Sequence, residues 1–466
     1  MIPVTTYQDQ SIAVFGLGAS GIAAGLALRE GGANVCVWDD NANSRDKARE
    51  LGLATTNLYA APGDDYAALV VAPGVPLTHP KPHELVAKAN AENVPVIGDI
   101  ELFAQMRMQL PGHQVVAITG TNGKSTTTAL ICHIINACGG QALACGNIGT
   151  PVLALQPLAE GGVYVIEMSS YQIDLTYSLQ PELAILLNVA PDHLDRHGDI
   201  DHYAAVKQRL LTGQAADGVA IIGVDDKWGQ AALVQLRQAG RLNVVPISVE
   251  QPLESGVYVA DGLVYDTRSS STDPVLDLRH IVTLPGSHNW QNATAAYVAA
   301  TTLGMARAAI QQAMESFGGL AHRSEYIIEI NGLHFVNDSK ATNVDATIRA
   351  LAAFDNIYWI AGGRSKQEPL APIAQHHDNI TATYLFGEAQ QEMADGLYDL
   401  GLESHLCDVL DAAFARAVRD AQAAGGGTIL LSPACASFDQ FANFEIRGDA
   451  FKALVADFVA VEGARA

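Results

Sequence analysis

Short apolar runs alternate with helix-length amphipathic stretches along most of this chain, the pattern that predicts parallel sheets covered by helices. Residues 12–16 (IAVFG), 34–40 (NVCVWDD) and 66–73 (YAALVVAP) read as strands of a first unit. A polar stretch of helical spacing, ELFAQMRMQLPGHQ, then leads to a new strand at Val115 and places a boundary near 110. The second unit carries the runs VVAITG, VYVIEM, ELAILLNV, GVAIIGV and NVVPISV, and closes with helices over 289–303 and 305–317. After the Gly318-Gly319 punctuation a third unit opens with a hairpin, IIEINGLHFVND, and continues through IYWIAGG, TATYLFG and GTILLSPA. The expected division is therefore 1–110, 111–320 and 321–466, with no tandem repeats.

Composition narrows the class. At 466 residues and 49% hydrophobic content the chain supports about three cores. No apolar run reaches the roughly 18 residues needed to cross a bilayer, and the MIPVTTYQDQ start lacks the basic flank of a signal peptide, so a cytoplasmic protein is expected with no membrane insertion. The six cysteines are scattered among apolar neighbours without a C-x-x-C pair, which argues against a disulfide framework or zinc site. Fifty acidic against 27 basic residues, a net charge of −23, exclude nucleic acid as a partner. An anionic substrate must be met by helix N-termini, a few Lys or Arg side chains, and Mg²⁺.

Residues 117–125 read AITGTNGKS, an apolar strand that breaks into a glycine-rich turn and delivers a Lys and a Ser into the helix TTTALICHII. Backbone N–H groups of Gly120, Thr121, Asn122 and Gly123 would line phosphate oxygens, Lys124 would sit on the β and γ oxygens of ATP, and the Ser125 hydroxyl would ligate Mg²⁺. The common spacing G-x-x-x-x-G-K-[ST] is not met, because Ile118 stands where its first glycine belongs. In the first unit, Gly16, Gly18 and Gly21 form G-x-G-x-x-G straight after a strand, and Asp39 ends the next strand. That spacing is the Rossmann fingerprint, which holds a diphosphate on the helix N-terminus at Gly18, Ala19 and Ser20. Asp39 reads either as a hydroxyl acceptor or as a strand-end cap.

The form G-T-x-G-K-[ST] after a hydrophobic strand resembles the Mur ligase family of ATP-dependent amide-forming enzymes. Further segments match that family in the same order: EMSSYQ at Glu167, NVAPDHLDR around His193, and YAAVK ending at Lys207. The resemblance implies a three-domain α/β protein with a Rossmann-like N-terminal domain, a central P-loop ATPase-type domain and a Rossmann-like C-terminal domain. It implies that the first domain holds a UDP-sugar through Gly18, Ala19, Ser20 and Asp39, with Asn147 of CGNIG contributing, and that Thr126 joins the ATP loop. Glu167 would reach the Mg²⁺ held by ATP, and His193 a second Mg²⁺. Lys207 would capture CO₂ as a carbamate and serve as a further metal ligand. His288, Asn289 and Asn292 in GSHNWQN would lie near adenine, with Arg323 and Asp338 as ribose and phosphate contacts. Without the resemblance these residues read as a solvated strand end (Glu167), turn residues (Asn147, His193), a surface lysine (Lys207) and a helix N-cap (Asn289).

In the third unit NDSKATN, GGRSK and LLSPACASFDQFANFEIRG resemble the branch of the family that adds D-glutamate to UDP-N-acetylmuramoyl-L-alanine. Thr342, Lys366, Ser437 and the backbone around Phe444 would then hold the incoming amino acid. Read alone, Ser437 is a helix N-cap and Phe444 a core aromatic. The Arg364-Ser365 pair departs from the family pattern, and the D-N-P-[RA] signature of the diamino-acid branch is absent. The expectation is a monomeric ligase working through an acyl phosphate. Two alternatives stay open: a related ligase using L-glutamate or L-alanine, and a dinucleotide-binding protein.

Overall fold

The structure, a computed structural model, describes residues 1–60, 65–215, 217–240, 243–269 and 273–463. It is a mixed α/β protein with three sheets. Tertiary contacts divide it into two compact units, one formed by Met1–Leu276 with Gln291–Met314 and the other by Asp277–Trp290 with Glu315–Ala466. Among the described residues no helix is long and apolar enough to cross a membrane.

The first unit holds two sheets. One is parallel throughout, in the order Ala54–Thr55, Asn34–Trp38, Ser11–Phe15, Leu69–Val71, Val96–Ile97. The other runs Leu276–Asp277, Leu263–Asp266, Val257–Ala260, Asn243–Ser248, Val219–Gly223, Leu183–Leu186, His113–Thr119, Gly162–Glu167, Ala142–Gly146. Its strands from Ala142 to Tyr258 pair in parallel, and Val257–Ala260 turns back antiparallel on Leu263–Asp266. The reversal leaves a purely parallel arrangement unfulfilled at that edge.

The stretch read as a polar helix takes a different form. Helix Asp99–Met106 is buried along nearly its whole length. Its Glu101 is engaged inside the fold, accepting from Tyr177 N at 2.6 Å, Ser178 N at 2.9 Å and Ser178 Oγ at 2.7 Å. Just beyond it, Arg107 clasps Glu182 at 2.7 and 2.9 Å. Glu101 and Arg107 therefore mark internal pairing rather than a wetted face.

The sheet of the second unit is ordered Glu325–Ile330, Leu333–Asn337, Gly427–Leu431, Ile357–Gly362, Ile380–Phe386, Ser404–Asp408, with the expected hairpin as its one antiparallel pair among the described residues. Alternate residues feed separate cores: Trp359, Leu385 and Leu430 pack on one face, Tyr358, Ile360, Tyr384 and Ile429 on the other. Burial on both faces is why these strands read as unbroken apolar runs, and why their carboxyl ends are the places left for polar chemistry.

Candidate active site

Strand His113–Thr119 is followed by the loop 120–123 and by helix Lys124–Ala137, as the spacing predicts. Gly123 caps that helix at φ +83°, a left-handed conformation natural to glycine. A Cβ there would stand 2.2 Å from Asn292 Oδ1, so the second constraint on position 123 is contact. Asn292 also accepts from Thr127 Oγ1 at 3.2 Å and is buried. It braces the loop from below.

The loop's amides are less available than its glycines suggest. Asn188, just past strand Leu183–Leu186, accepts Thr121 N through its carbonyl and Asn122 N through its side chain, both at 2.9 Å. Those two N–H groups hold the loop's shape. Thr121 Oγ1 instead meets Ala190 O and the Tyr203 hydroxyl, each at 3.2 Å. Lys124 Nζ arches over the loop onto Gly120 O at 2.9 Å and Thr121 O at 2.8 Å. Ser125 is buried at the helix start, and Thr126 is half-buried next to it.

Parallel pairing brings the other candidates to the same sheet edge. Glu167 ends the strand beside His113–Thr119 and is almost fully buried. Asn147 Nδ2 donates to its Oε1 at 2.7 Å, while Oε2 is buried with no hydrogen-bond partner. An orphaned carboxylate oxygen at the sheet edge beside the glycine-rich loop fits a cation ligand. Lys207, on helix Ile200–Thr212, is 1% exposed and reaches back to Gly120 O at 2.9 Å, with Tyr203's ring 4.4 Å beneath its ammonium. Burial, and next the charge of Lys124, push its pKa well below the ordinary lysine value, against the opposing pull of Asp192 and Glu167. The surface-lysine reading is thereby excluded.

His193 sits at φ +54° ahead of the short helix Leu194–His197, its Nε2 3.4 Å from Asp192 Oδ2 and its ring 5.0 Å from Tyr171. Burial lowers its pKa, Asp192 opposes, and Lys124 and Lys207 lower it further. A neutral imidazole is the form that binds metal. Asp174, His197 and His202 bring ligand atoms within 4.8 Å of one another. Arg209 already holds Asp174 at 3.0 Å, so that carboxylate's charge is answered.

In the first sheet Gly18, Ala19 and Ser20 open helix Ala19–Glu30, with Gly18 as its N-cap. Gly21 lies so close to the preceding turn that a Cβ would stand 1.9 Å from Gly16 O, which accounts for the motif's last glycine by packing alone. Asp39 accepts Leu17 N at 2.6 Å and Asn41 N at 2.8 Å. Its observed work is that of a cap.

The second unit carries the remaining candidates. Asn289 lies inside helix Gly286–Thr302 and donates to Pro285 O at 2.9 Å, not at an N-cap. Burial and then Arg349 push neighbouring His288 down to about 3, so the ring is neutral. Asp338 accepts Ser432 Oγ at 2.8 Å and Ser324 N at 3.0 Å, next to Arg323. Burial raises its carboxyl to about 7 despite those donors. A carboxyl titrating at about 7 folded and about 4 unfolded holds its proton more tightly in the native state. Stability is lost as pH rises from about 4 to about 7 and is level above. Asp338→Asn is expected to flatten that slope in urea midpoints compared across the same range, and parallel curves for the two proteins would contradict it.

Thr342 follows Lys340 on the loop after Leu333–Asn337, Lys366 is exposed on the loop after Ile357–Gly362, and Ser437 is buried in the turns after Gly427–Leu431. No helix starts at Ser437; the next begins at Phe444, so the cap reading fails. Phe444 is half-buried, with Lys340 Nζ 3.9 Å over its ring, rather than a core aromatic. Its carbonyl already accepts Ser339 Oγ at 2.8 Å. Arg364 forks onto Glu388 at 3.0 and 3.1 Å, and Ser365 donates to Glu392 at 2.9 Å, so the departing pair before Lys366 serves local contacts. Asn188, Tyr203 and Lys340 stood inside the quoted motifs without an assigned part. Their neighbours' spacing was the only signal for them.

Comparison with known proteins agrees with this arrangement. The Mur ligase middle domain matches residues 118–300, and the Mur ligase, glutamate ligase domain matches residues 322–435. The chain belongs to the Mur ligase family. It is 50% identical over 458 residues, 98% of each chain, to a UDP-N-acetylmuramoylalanine--D-glutamate ligase of Nitrobacter hamburgensis. Identity is 47% over 461 residues, again 98% of each, to the protein of the same name from Phenylobacterium zucineum. Among solved structures, a UDP-N-acetylmuramate-alanine ligase from Thermotoga maritima shares the fold, with a TM-score of 0.59 and 17% identity over 97% of this chain and 100% of that one.

Proposed function

We propose that this protein joins D-glutamate to UDP-N-acetylmuramoyl-L-alanine while converting ATP to ADP and phosphate, a cytoplasmic step of peptidoglycan precursor synthesis. The observation that carries the reading is half identity along nearly the whole chain to relatives named for that reaction. The meeting of Lys124, Glu167 and Lys207 at one sheet edge supports it from the chemistry.

A carboxylate resists attack because it is anionic and lacks a leaving group. Transfer of the γ-phosphoryl group to the terminal carboxylate gives an acyl phosphate, and the amine of D-glutamate then forms the amide bond as phosphate departs and the amine proton passes to solvent. Lys124 offsets charge on the phosphoryl group in transit. Two Mg²⁺ ions, when bound, neutralise the phosphate oxygens; Ser125 and Glu167 would hold one, His193 and a carbamylated Lys207 the other. The buried, unpartnered Glu167 Oε2 and the depressed basicity of Lys207 support those assignments. A neutral amine adds CO₂, forming an N–C bond and releasing a proton, whereas an ammonium has no electron pair for it.

Gly18, Ala19, Ser20, Asp39 and Asn147 are assigned to the UDP-sugar. Gly120 through Thr126 are assigned to ATP, with His288, Asn289, Asn292, Arg323 and Asp338. Thr342, Lys366, Ser437 and the Phe444 backbone take the amino acid. The protein works as a monomer on small molecules. ADP release with UDP-N-acetylmuramoyl-L-alanine should depend on D-glutamate in preference to L-glutamate, L-alanine and meso-diaminopimelate. Preference for another amino acid would overturn the substrate, and tight NADH binding without ATP turnover would overturn the reaction.

A further inference from the structure

Arg447 is fully buried in the first turn of helix Phe444–Gly463, where the helix dipole opposes a cation. Among the described residues no carboxylate comes within ion-pairing distance of it. Its guanidinium is spread over three chain segments instead. Nη2 donates to Ser339 O at 2.8 Å and Nε to Ser339 Oγ at 3.0 Å. Nη1 reaches Cys435 O at 3.1 Å and Gly362 O at 3.3 Å.

Those acceptors lie at the carboxyl end of strand Ile357–Gly362 and on the loops that leave its neighbours in the sheet, Gly427–Leu431 and, next to that, Leu333–Asn337. The chain goes on from these strands to Lys366, Ser437 and Thr342 respectively, and the arginine's own helix begins at Phe444. The joint is tight. Arg364 and Ala436 exchange both backbone bonds, at 2.8 and 3.0 Å, and a Cβ on Gly363 would stand 2.2 Å from Ala436 O. Burying an unpaired cation costs stability, and a hydrophobic side chain of similar volume would fill the space without that cost. A fork of five rigid donors does what such a side chain does not: it fixes the relative positions of carbonyls on separate loops.

We propose that Arg447 is a positioning residue for the amino-acid substrate, its guanidinium setting the mutual spacing of the three loops that carry Thr342, Lys366 and Ser437. This rests on the assignment of those residues above. It acts through geometry, so lysine does not replace it: one ammonium nitrogen does not span acceptors that three guanidinium nitrogens divide between them.

The test compares steady-state kinetics of Arg447→Met, Arg447→Lys and Ser339→Ala with the unaltered protein, with thermal unfolding of each followed by circular dichroism. Both arginine variants are expected to raise the KM for D-glutamate about tenfold or more while the KM for MgATP stays within about twofold. Ser339→Ala removes only the acceptor of Nε and the donor to Phe444 O, so a rise of about threefold is expected. Restoration of the D-glutamate KM by lysine would overturn the proposal, as would equal rises in both KM values. Should the arginine variants not fold, an unchanged D-glutamate KM in Ser339→Ala overturns it. Lack of D-glutamate-dependent ADP release by the unaltered protein is a separate failure, that of the reaction assignment.

Discussion

Lys124→Ala should lower the rate of ADP release by about 10³-fold while leaving the fold intact. Electrostatic donors aimed at a transferring phosphoryl group commonly account for 10²–10³ each, and Lys124 is a full charge at the centre of the loop. The structural cost is small, because its ammonium bonds two carbonyls of its own loop, Gly120 O and Thr121 O, and the side chain itself is only half-buried. Binding and turnover separate the contributions. If nucleotide affinity falls with kcat, the lysine acts on bound ATP as well as in the transition state. A variant with full turnover would remove the triphosphate loop from the mechanism.

Lys207→Ala is expected to lose about 10²–10³-fold in kcat and to regain part of it with millimolar acetate or formate. Removing the side chain deletes the nitrogen that would carry CO₂ and leaves a cavity lined by Tyr203 and the Gly120 carbonyl. A small carboxylate can occupy that cavity and offer its oxygens as the missing ligand. The rescue should saturate with carboxylate size, formate and acetate acting where longer acids do not. Loss without rescue, in a protein whose thermal unfolding is unchanged, would assign Lys207 to charge or packing and not to a carbamate.

Much of this was legible in the chain because burial writes itself into apolar runs. Strands such as Ile357–Gly362 are covered on both faces and show no alternation to confuse with a helix. Segments with mixed surroundings were missed: strand Ala142–Gly146, the reversal at Val257–Asp266 and strand Ser404–Asp408 are short and half-exposed. Helix Asp99–Met106 was read as polar because periodicity reports side-chain type and not the partner each one finds. At the site, the glycine-rich loop and Glu167 announced themselves by position after strands. The part played by Asn188 did not, since capture of two amides depends on a neighbouring strand from far along the sequence. Arg447 stood inside the LLSPACASFDQFANFEIRG segment with no part assigned; its surroundings are three chain segments that only the sheet brings side by side.

Gly120 O accepts hydrogen bonds from both Lys124 and Lys207, each at 2.9 Å. A single carbonyl thus joins the amine proposed to meet the phosphates to the amine proposed to take up CO₂, and the charge on the first discourages protonation of the second. A ligand that draws Lys124 away from Gly120 O would remove one of the charges that hold the Lys207 amine neutral, and burial alone would then have to keep it so.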